Sequence, residues 1–289
     1  MDKETIVSSR PDREIRKIVV AQGDYTLVPY EDSRCKIVLT NVNCKNDSGK
    51  CTIEEESKIF GNNFDGNVLI GDSDFFIDKD FELILQQMCC GEKCEATLVY
   101  RNSKGELVKE ISCNIHLQEV TEEQLISDWS WQRLFEAATH HKQKGIQLVK
   151  EKRFTEAFRR FNKALKMIIA IEPVDPAVID EATVKEITDS KIKLYNNLAY
   201  LQLQYHEYDA VLQLCDRVLK LDQLNVKALY RRSLAYSGLK MYEEAWVDVQ
   251  NGLKLDPNDK AFQQQANTLK PILEQRNENY TNVIKKMFN

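Results

Sequence analysis

The stretches YDAVLQLCDRVLKLDQLN (208–225) and YEEAWVDVQNGLKLDPND (242–259) superimpose at an offset of 34 residues. Tyr208 falls on Tyr242, Leu219 on Leu253, and Lys220-Leu221-Asp222 on Lys254-Leu255-Asp256. A fixed period of this length constrains a fold more than any composition does. Each copy is one supersecondary unit too small to bury its own apolar side, so copies must stack and share a core. A fainter third copy, FTEAFRRFNKALKMI (154–168), places Phe154 and Leu165 in the same slots. The step from Phe154 to Tyr208 is 54 residues, one period plus an insertion that coincides with the Pro-containing acidic stretch IEPVDPAVIDEATVKEITDS.

Small residues are needed where two helices touch. Gly145, Ala199 and Ser233 occupy one such slot, and Ala157, Val211 and Ala245 another. Pro257 closes the third copy, where a proline cannot continue a helix. The pattern resembles the tetratricopeptide repeat, which implies paired antiparallel helices and a concave groove. Three repeats are expected over 138–259, with the insertion near 172–191. A capping helix over 260–289, bent near Pro271, and a linker helix over 121–137 complete this half.

Composition sets the outer bounds. The 289 residues suit two domains rather than one, and no apolar run approaches membrane-spanning length. MDKETIVSSRPDREIRK has no apolar core of the kind a secretory signal needs, so a cytoplasmic or nuclear location is expected. Residues 1–120 carry 15 Lys and Arg against 22 Asp and Glu, and the remainder 25 against 23. That balance argues against a nucleic-acid surface, and neither a nucleic-acid nor a membrane partner is expected. The eight cysteines are read as reduced thiols, because Cys90 and Cys94 lack the second pair that a zinc site requires. No metal or cofactor is expected.

VKALYRRSLAY (226–236) places Lys227 and Arg231 four residues apart on one helix face, with no acidic residue inside the stretch. They hold the second and sixth positions of the third repeat. In register, Asn197 takes the sixth position of the second repeat and Lys142 the fifth of the first. These four slots resemble the carboxylate clamp of co-chaperone tetratricopeptide domains. The resemblance implies binding of the C-terminal Glu-Glu-Val-Asp peptide of a cytosolic heat-shock chaperone. The chemistry is apt: lysine, arginine and an amide can together hold the two carboxylates of a terminal aspartate. Gly145 is followed by Ile146, where many clamps have a further asparagine. A solvated pair of cations on an exposed helix is the alternative reading.

The first half is of another kind. RKIVVAQG (16–23), CKIVLTNV (35–42), CEATLVYR (94–101) and ISCNIHLQEV (111–120) read as strands, with a hairpin turn in YRNSKGELVK. DKDFELILQQMCCGEK (78–93) reads as one short helix ending at Gly91, with Phe81, Ile84, Leu85 and Met88 as its buried face. An antiparallel sheet over a single helix is expected across 12–120. Glu54-Glu55-Glu56 reads as a solvated loop, and Trp129 and Trp131 as residues that pack the two domains together, an exposed partner site being the alternative.

LILQQMCCGEKCEATLVY, CKIVLTNV and IHLQEV resemble the helix and strands of FKBP-type immunophilins. An α+β unit ahead of three tetratricopeptide repeats is similar to the large members of that family. The family's isomerases have a Gly-Trp pair at the helix start, where this chain has Asp80-Phe81. Their Phe-Asp pair has no counterpart in CTIEEESKIF, and their Tyr- and Pro-Pro-His-bearing loops are replaced by the turn in RNSKGELVKE. The resemblance thus implies a divergent member that has lost its isomerase site and binds proteins. The overall layout is similar to that of a divergent insect member, implying a client in the casein kinase I family and a role in the circadian clock.

No other enzyme signature emerges. FGNNFDGNVLIGD lacks a phosphate-loop or dinucleotide fingerprint, and His140-His141 stand apart from any nucleophile. The expected function is a non-catalytic adaptor or co-chaperone. The alternatives are a peptidyl-prolyl isomerase with a rearranged pocket, and a scaffold whose groove takes some other peptide.

Overall fold

The computed structural model describes residues 4–46, 49–50, 53, 57–60, 63–121, 126–174 and 178–288. The chain divides into two compact units, Met1–Leu125 and Ile126–Asn289. No described helix is long and apolar enough to cross a membrane.

Among the described residues, the first unit is an antiparallel sheet of seven strands over one helix. Its strands are β1 (Glu4–Arg10), β2 (Arg13–Ala21), β3 (Arg34–Asn46), β4 (Gly49–Lys50), β5 (Phe64–Leu69), β6 (Lys93–Arg101) and β7 (Leu107–Thr121). They run in the order β1-β2-β6-β7-β3-β4, and β5 also pairs with β3. Strict alternation along β7 sends Ile111, Cys113, Ile115 and Leu117 into the core. Helix α1 (Phe76–Leu85) covers that face, and Phe81, Ile84, Leu85 and the following Met88 are fully buried, as their spacing predicts.

Helix α1 also buries three carboxylates, each tied to a different segment. Asp78 accepts from Ser57 Oγ and from Lys58 N at 2.9 Å. Asp80 pairs with Arg13 and accepts from Tyr100 Oη at 3.1 Å. Glu82 accepts from Gly71 N and Ser73 N, both at 3.1 Å. Burial pushes the carboxyl groups of Asp78 and Glu82 up, against these hydrogen bonds.

Four expectations need correcting. The sheet starts before residue 12, because β1 pairs antiparallel with β2. The short helix stops at Leu85 rather than Gly91: Gln87 N and Met88 N bond to carbonyls three residues back, and the Cys90 backbone is taken up by Leu27 and Asp24. Gly91 sits instead in a turn at φ +82°. Residues 121–137 are not one linker helix. Strand β7 runs to Thr121, a 3₁₀ turn covers Ile126–Asp128, and Ser130 caps a longer helix by accepting from Arg133 N. Cys44, expected as a thiol, is disulfide-bonded. Cys35, Cys89, Cys90, Cys94, Cys113 and Cys215 are free, and burial raises Cys35, Cys94 and Cys215 to about 12, so these three stay protonated at neutral pH. Cys51 and Glu54-Glu55-Glu56 lie outside the described residues.

The second unit is a stack of helices: α2 (Trp131–Lys150), α3 (Phe154–Ala170), α4 (Glu181–Gln204), α5 (Tyr208–Leu221), α6 (Val226–Gly238), α7 (Tyr242–Leu255) and α8 (Lys260–Phe288). Helices pair as α2 with α3, α4 with α5, and α6 with α7. Gly145, Ala199 and Ser233 are buried where these helices meet, as are Ala157, Val211 and Ala245. A Cβ on Gly145 would lie 2.5 Å from the Phe161 ring, so helix contact itself demands the glycine. Trp129 is buried in the core of this unit, with the Arg133 guanidinium 4.1 Å from its ring centroid.

The insertion is not a loop throughout. Asp180 caps α4 by accepting from Thr183 N at 3.0 Å, so residues 181–191 form the helix's leading turns. Ile187 and Ser190 are buried against the stack, and Lys191 pairs with Glu172 at 2.6 Å. Helix α8 continues through Pro271 as a single helix.

Candidate functional site

The first helices of the three repeats, α2, α4 and α6, carry the predicted clamp residues. A groove of about 550 Å³ between α4 and α6 is lined by Asn197, Lys227 and Arg231, together with Lys193, Asn196 and Asn225. Three of the four predicted residues therefore meet in one place. Lys142 is not among the lining residues. Its Nζ donates to Ser190 Oγ at 3.3 Å, and Ser190 directly follows groove-lining Asp189. Lys142 thus stands beside the groove, reaching from α2 toward α4. Ile146, the residue at the slot where many clamps have an amide, is 42% exposed.

Arg231 is positioned rather than free to swing. Asn225 is the N-cap of α6, its Oδ1 accepting from Ala228 N at 3.0 Å. The same Asn225 Oδ1 accepts from Asn196 Nδ2 at 3.2 Å, and Asn225 Nδ2 donates to Asp222 at 2.9 Å. Asn196 Oδ1 in turn accepts from Arg231 Nη1 at 2.9 Å, while the guanidinium carbon lies 5.7 Å from the Tyr200 ring centroid. One fork of Arg231 is fixed, leaving its other donors for a ligand. Burial pushes the Arg231 pKa down, yet a guanidinium remains charged, so this cation has lost hydration that an incoming carboxylate restores. Among the described residues no carboxylate pairs with Arg231, Lys227 or Lys193.

The adjacent Arg232 does something different. It bonds both oxygens of buried Asp248, at 2.8 and 2.7 Å, and Asp216 at 2.7 Å, tying α5, α6 and α7 together. Two neighbouring arginines thus divide between groove and scaffold.

Asn196 was missed from sequence. It is 5% exposed and holds Arg231, whereas Asn197 faces the groove more openly. In the pair Asn196-Asn197 only one amide falls on the clamp register, and the other carries no signal of its own. Replacing Asn196 with aspartate should give Arg231 an internal counter-ion and weaken capture of an anionic peptide about tenfold. Peptide titration alongside circular dichroism checks this; undiminished affinity with the fold intact would count against Arg231 as a ligand-binding group.

In the first unit, Phe81 is the residue that the sequence resemblance sets against the isomerases' tryptophan. It is fully buried, in edge-to-face contact with Phe60 at 5.1 Å, and its neighbour Asp80 is bound to Arg13 and Tyr100. An aromatic that forms a binding floor must keep one face open. Phe81 keeps none.

A family model described as BDBT FKBP like N-terminal matches residues 9–122. The N-terminal unit is FKBP-like. Human FK506-binding protein-like is 29% identical over 153 residues, covering 52% of this chain and 40% of that protein. Peptidyl-prolyl cis-trans isomerase PASTICCINO1 of Arabidopsis thaliana is 25% identical over 258 residues, covering 85% of this chain and 39% of that protein. The chain thus spans well under half the length of these relatives. The crystal structure of residues 1–211 of CG17282 superimposes with a TM-score of 0.53 at 18% identity, covering 72% of this chain and 97% of that one, and so shares its fold. The architecture is an FKBP-like sheet-and-helix unit followed by a tetratricopeptide array.

Proposed function

We propose that the chain is a non-catalytic adaptor whose helical groove binds the C-terminal Glu-Glu-Val-Asp peptide of a heat-shock chaperone, in the cytoplasm or nucleus. The observation that carries the reading is Arg231, half-buried, held by Asn196 and lacking a carboxylate partner among the described residues, in a groove shared with Lys227 and Asn197. Lys142 completes the set from α2. A terminal aspartate brings two carboxylates within reach of such donors, and an internal peptide brings fewer.

The test is a fluorescence-anisotropy titration of a labelled peptide ending in Glu-Glu-Val-Asp, with a C-terminally amidated copy as control. Micromolar binding by the free acid, reduced at least about tenfold by amidation, is expected from the loss of one charge-assisted contact. Equal binding of both peptides would remove the clamp.

The rival reading is an isomerase with a rearranged pocket, suggested by the activity named for PASTICCINO1. Lowering a prolyl rotation barrier of roughly 18–20 kcal/mol needs a dry aromatic bowl and a donor for the carbonyl. The burial of Phe81 supports loss of that bowl. A protease-coupled proline isomerisation assay should therefore show no rate above background.

The client reading rests on likeness of layout to the insect protein Bride of Doubletime. It points to a casein kinase I family kinase and a role in the circadian clock. Titration with the purified kinase tests it, and absence of binding removes that client.

A further inference from the structure

One of the cations lining the groove lies outside the clamp pattern. Lys193 lines it from α4, 34 residues before Lys227, and therefore occupies the same position of the preceding repeat. It is exposed, and among the described residues it forms no hydrogen bond or ion pair. Its charge also reaches Lys142: after burial, Lys193 is the second cause holding the Lys142 ammonium below its ordinary pKa. Lys193 and Lys227 in the groove and Lys142 at its margin thus bring like charges from three successive first helices. Two carboxylates also line the groove: Asp189, four residues before Lys193 on α4, and Asp222, which accepts from Asn225 Nδ2.

Resting on the clamp reading, we infer that Lys193 is a specificity-determining residue that binds an acidic side chain two positions before the peptide's terminal aspartate. Lys193 lies one turn before Asn197, a displacement of about 6 Å along the helix axis. An extended peptide points residues two apart to the same side, about 6.8 Å from each other. With the terminal aspartate on Asn197, Lys227 and Arg231, the third residue from the end therefore reaches Lys193. A carboxylate there also relieves the repulsion between Lys193 and Lys142. Ile146 offers no donor on the α2 side, and Lys193 adds a second cation to the Lys142 that α2 supplies.

The test is a double-mutant cycle on the full chain. Peptides ending in Glu-Glu-Val-Asp and Glu-Gln-Val-Asp are titrated into wild type and the K193A variant, with K193R to restore the charge. Lys193→Ala should weaken the first peptide about fivefold and leave the second unchanged, the range of a partly solvated ion pair. Lys193→Arg should restore most of the loss. Equal losses for both peptides, or no loss for either, would overturn the assignment. If K193A binds like wild type while Arg231→Ala abolishes binding, the clamp stands and this inference falls. If wild type binds neither peptide, both fall together.

Discussion

Arg231→Ala in the full chain should lower affinity for a Glu-Glu-Val-Asp peptide by at least about tenfold, with Lys227→Ala costing less. A charge-assisted hydrogen bond contributes roughly 1.5–3 kcal/mol, and a guanidinium can supply two to one carboxylate. The two cations differ in surroundings. Arg231 is half-buried, already stripped of part of its hydration and held by Asn196 at 2.9 Å, so docking asks little further ordering of it. Lys227 is exposed and must give up rotamer freedom, so its loss should be nearer threefold. Arg231→Lys keeps the charge and forfeits the planar fork, and should fall between wild type and the alanine variant. The full series is read in one set of anisotropy titrations. Wild-type affinity in Arg231→Ala would show that peptides bind elsewhere.

Phe81→Ala should destabilise the FKBP-like unit by about 3–5 kcal/mol, a large share of the 5–15 kcal/mol that holds a typical domain. The ring is fully buried, lies edge-on to Phe60, and stands among Ile77, Ile84, Leu85 and the inward residues of the sheet. Its removal also loosens the one helix that ties down residues 57–58, 71–73 and Arg13 through its carboxylates. The measurement is convenient because Trp129, Trp131 and Trp246 all belong to the helical unit. Thermal melts followed by β-sheet circular dichroism should shift down, while peptide affinity stays at the wild-type level. An unshifted melt would mean that Phe81 is not the keystone its burial implies.

These two sites differ in how far the sequence disclosed them. The groove face was readable because small residues at Gly145, Ala199 and Ser233 fix the register of three helices, and the charged positions follow by counting. Lys227, Arg231 and Asn197 meet as counting predicts, but Lys142 stands at the groove's margin, which depends on helix packing that spacing does not encode. Asn196 stayed hidden because a second amide beside Asn197 looks redundant until Arg231 turns toward it. In the sheet, β7 announced itself by alternation. Strands β1 and β5 did not: ETIVSSR is mostly solvent-facing, and FDGNVL carries Asp, Gly and Asn, residues poor in strand preference. The end of α1 was misjudged since Gln86 to Gly91 contains no proline, and the helix yields only because distant Leu27 and Asp24 recruit the Cys90 backbone.

The added residues that feed α4 have a consequence for how such a chain can vary. They enter ahead of Ile192, Lys193, Asn196 and Asn197, and the phase of everything after them is locked by Ala199 packing. Length can grow or shrink ahead of Asp189, the first groove residue on α4, without rotating the groove positions that follow. The array therefore has a place where its outline can diversify while the surface that meets a ligand stays in step.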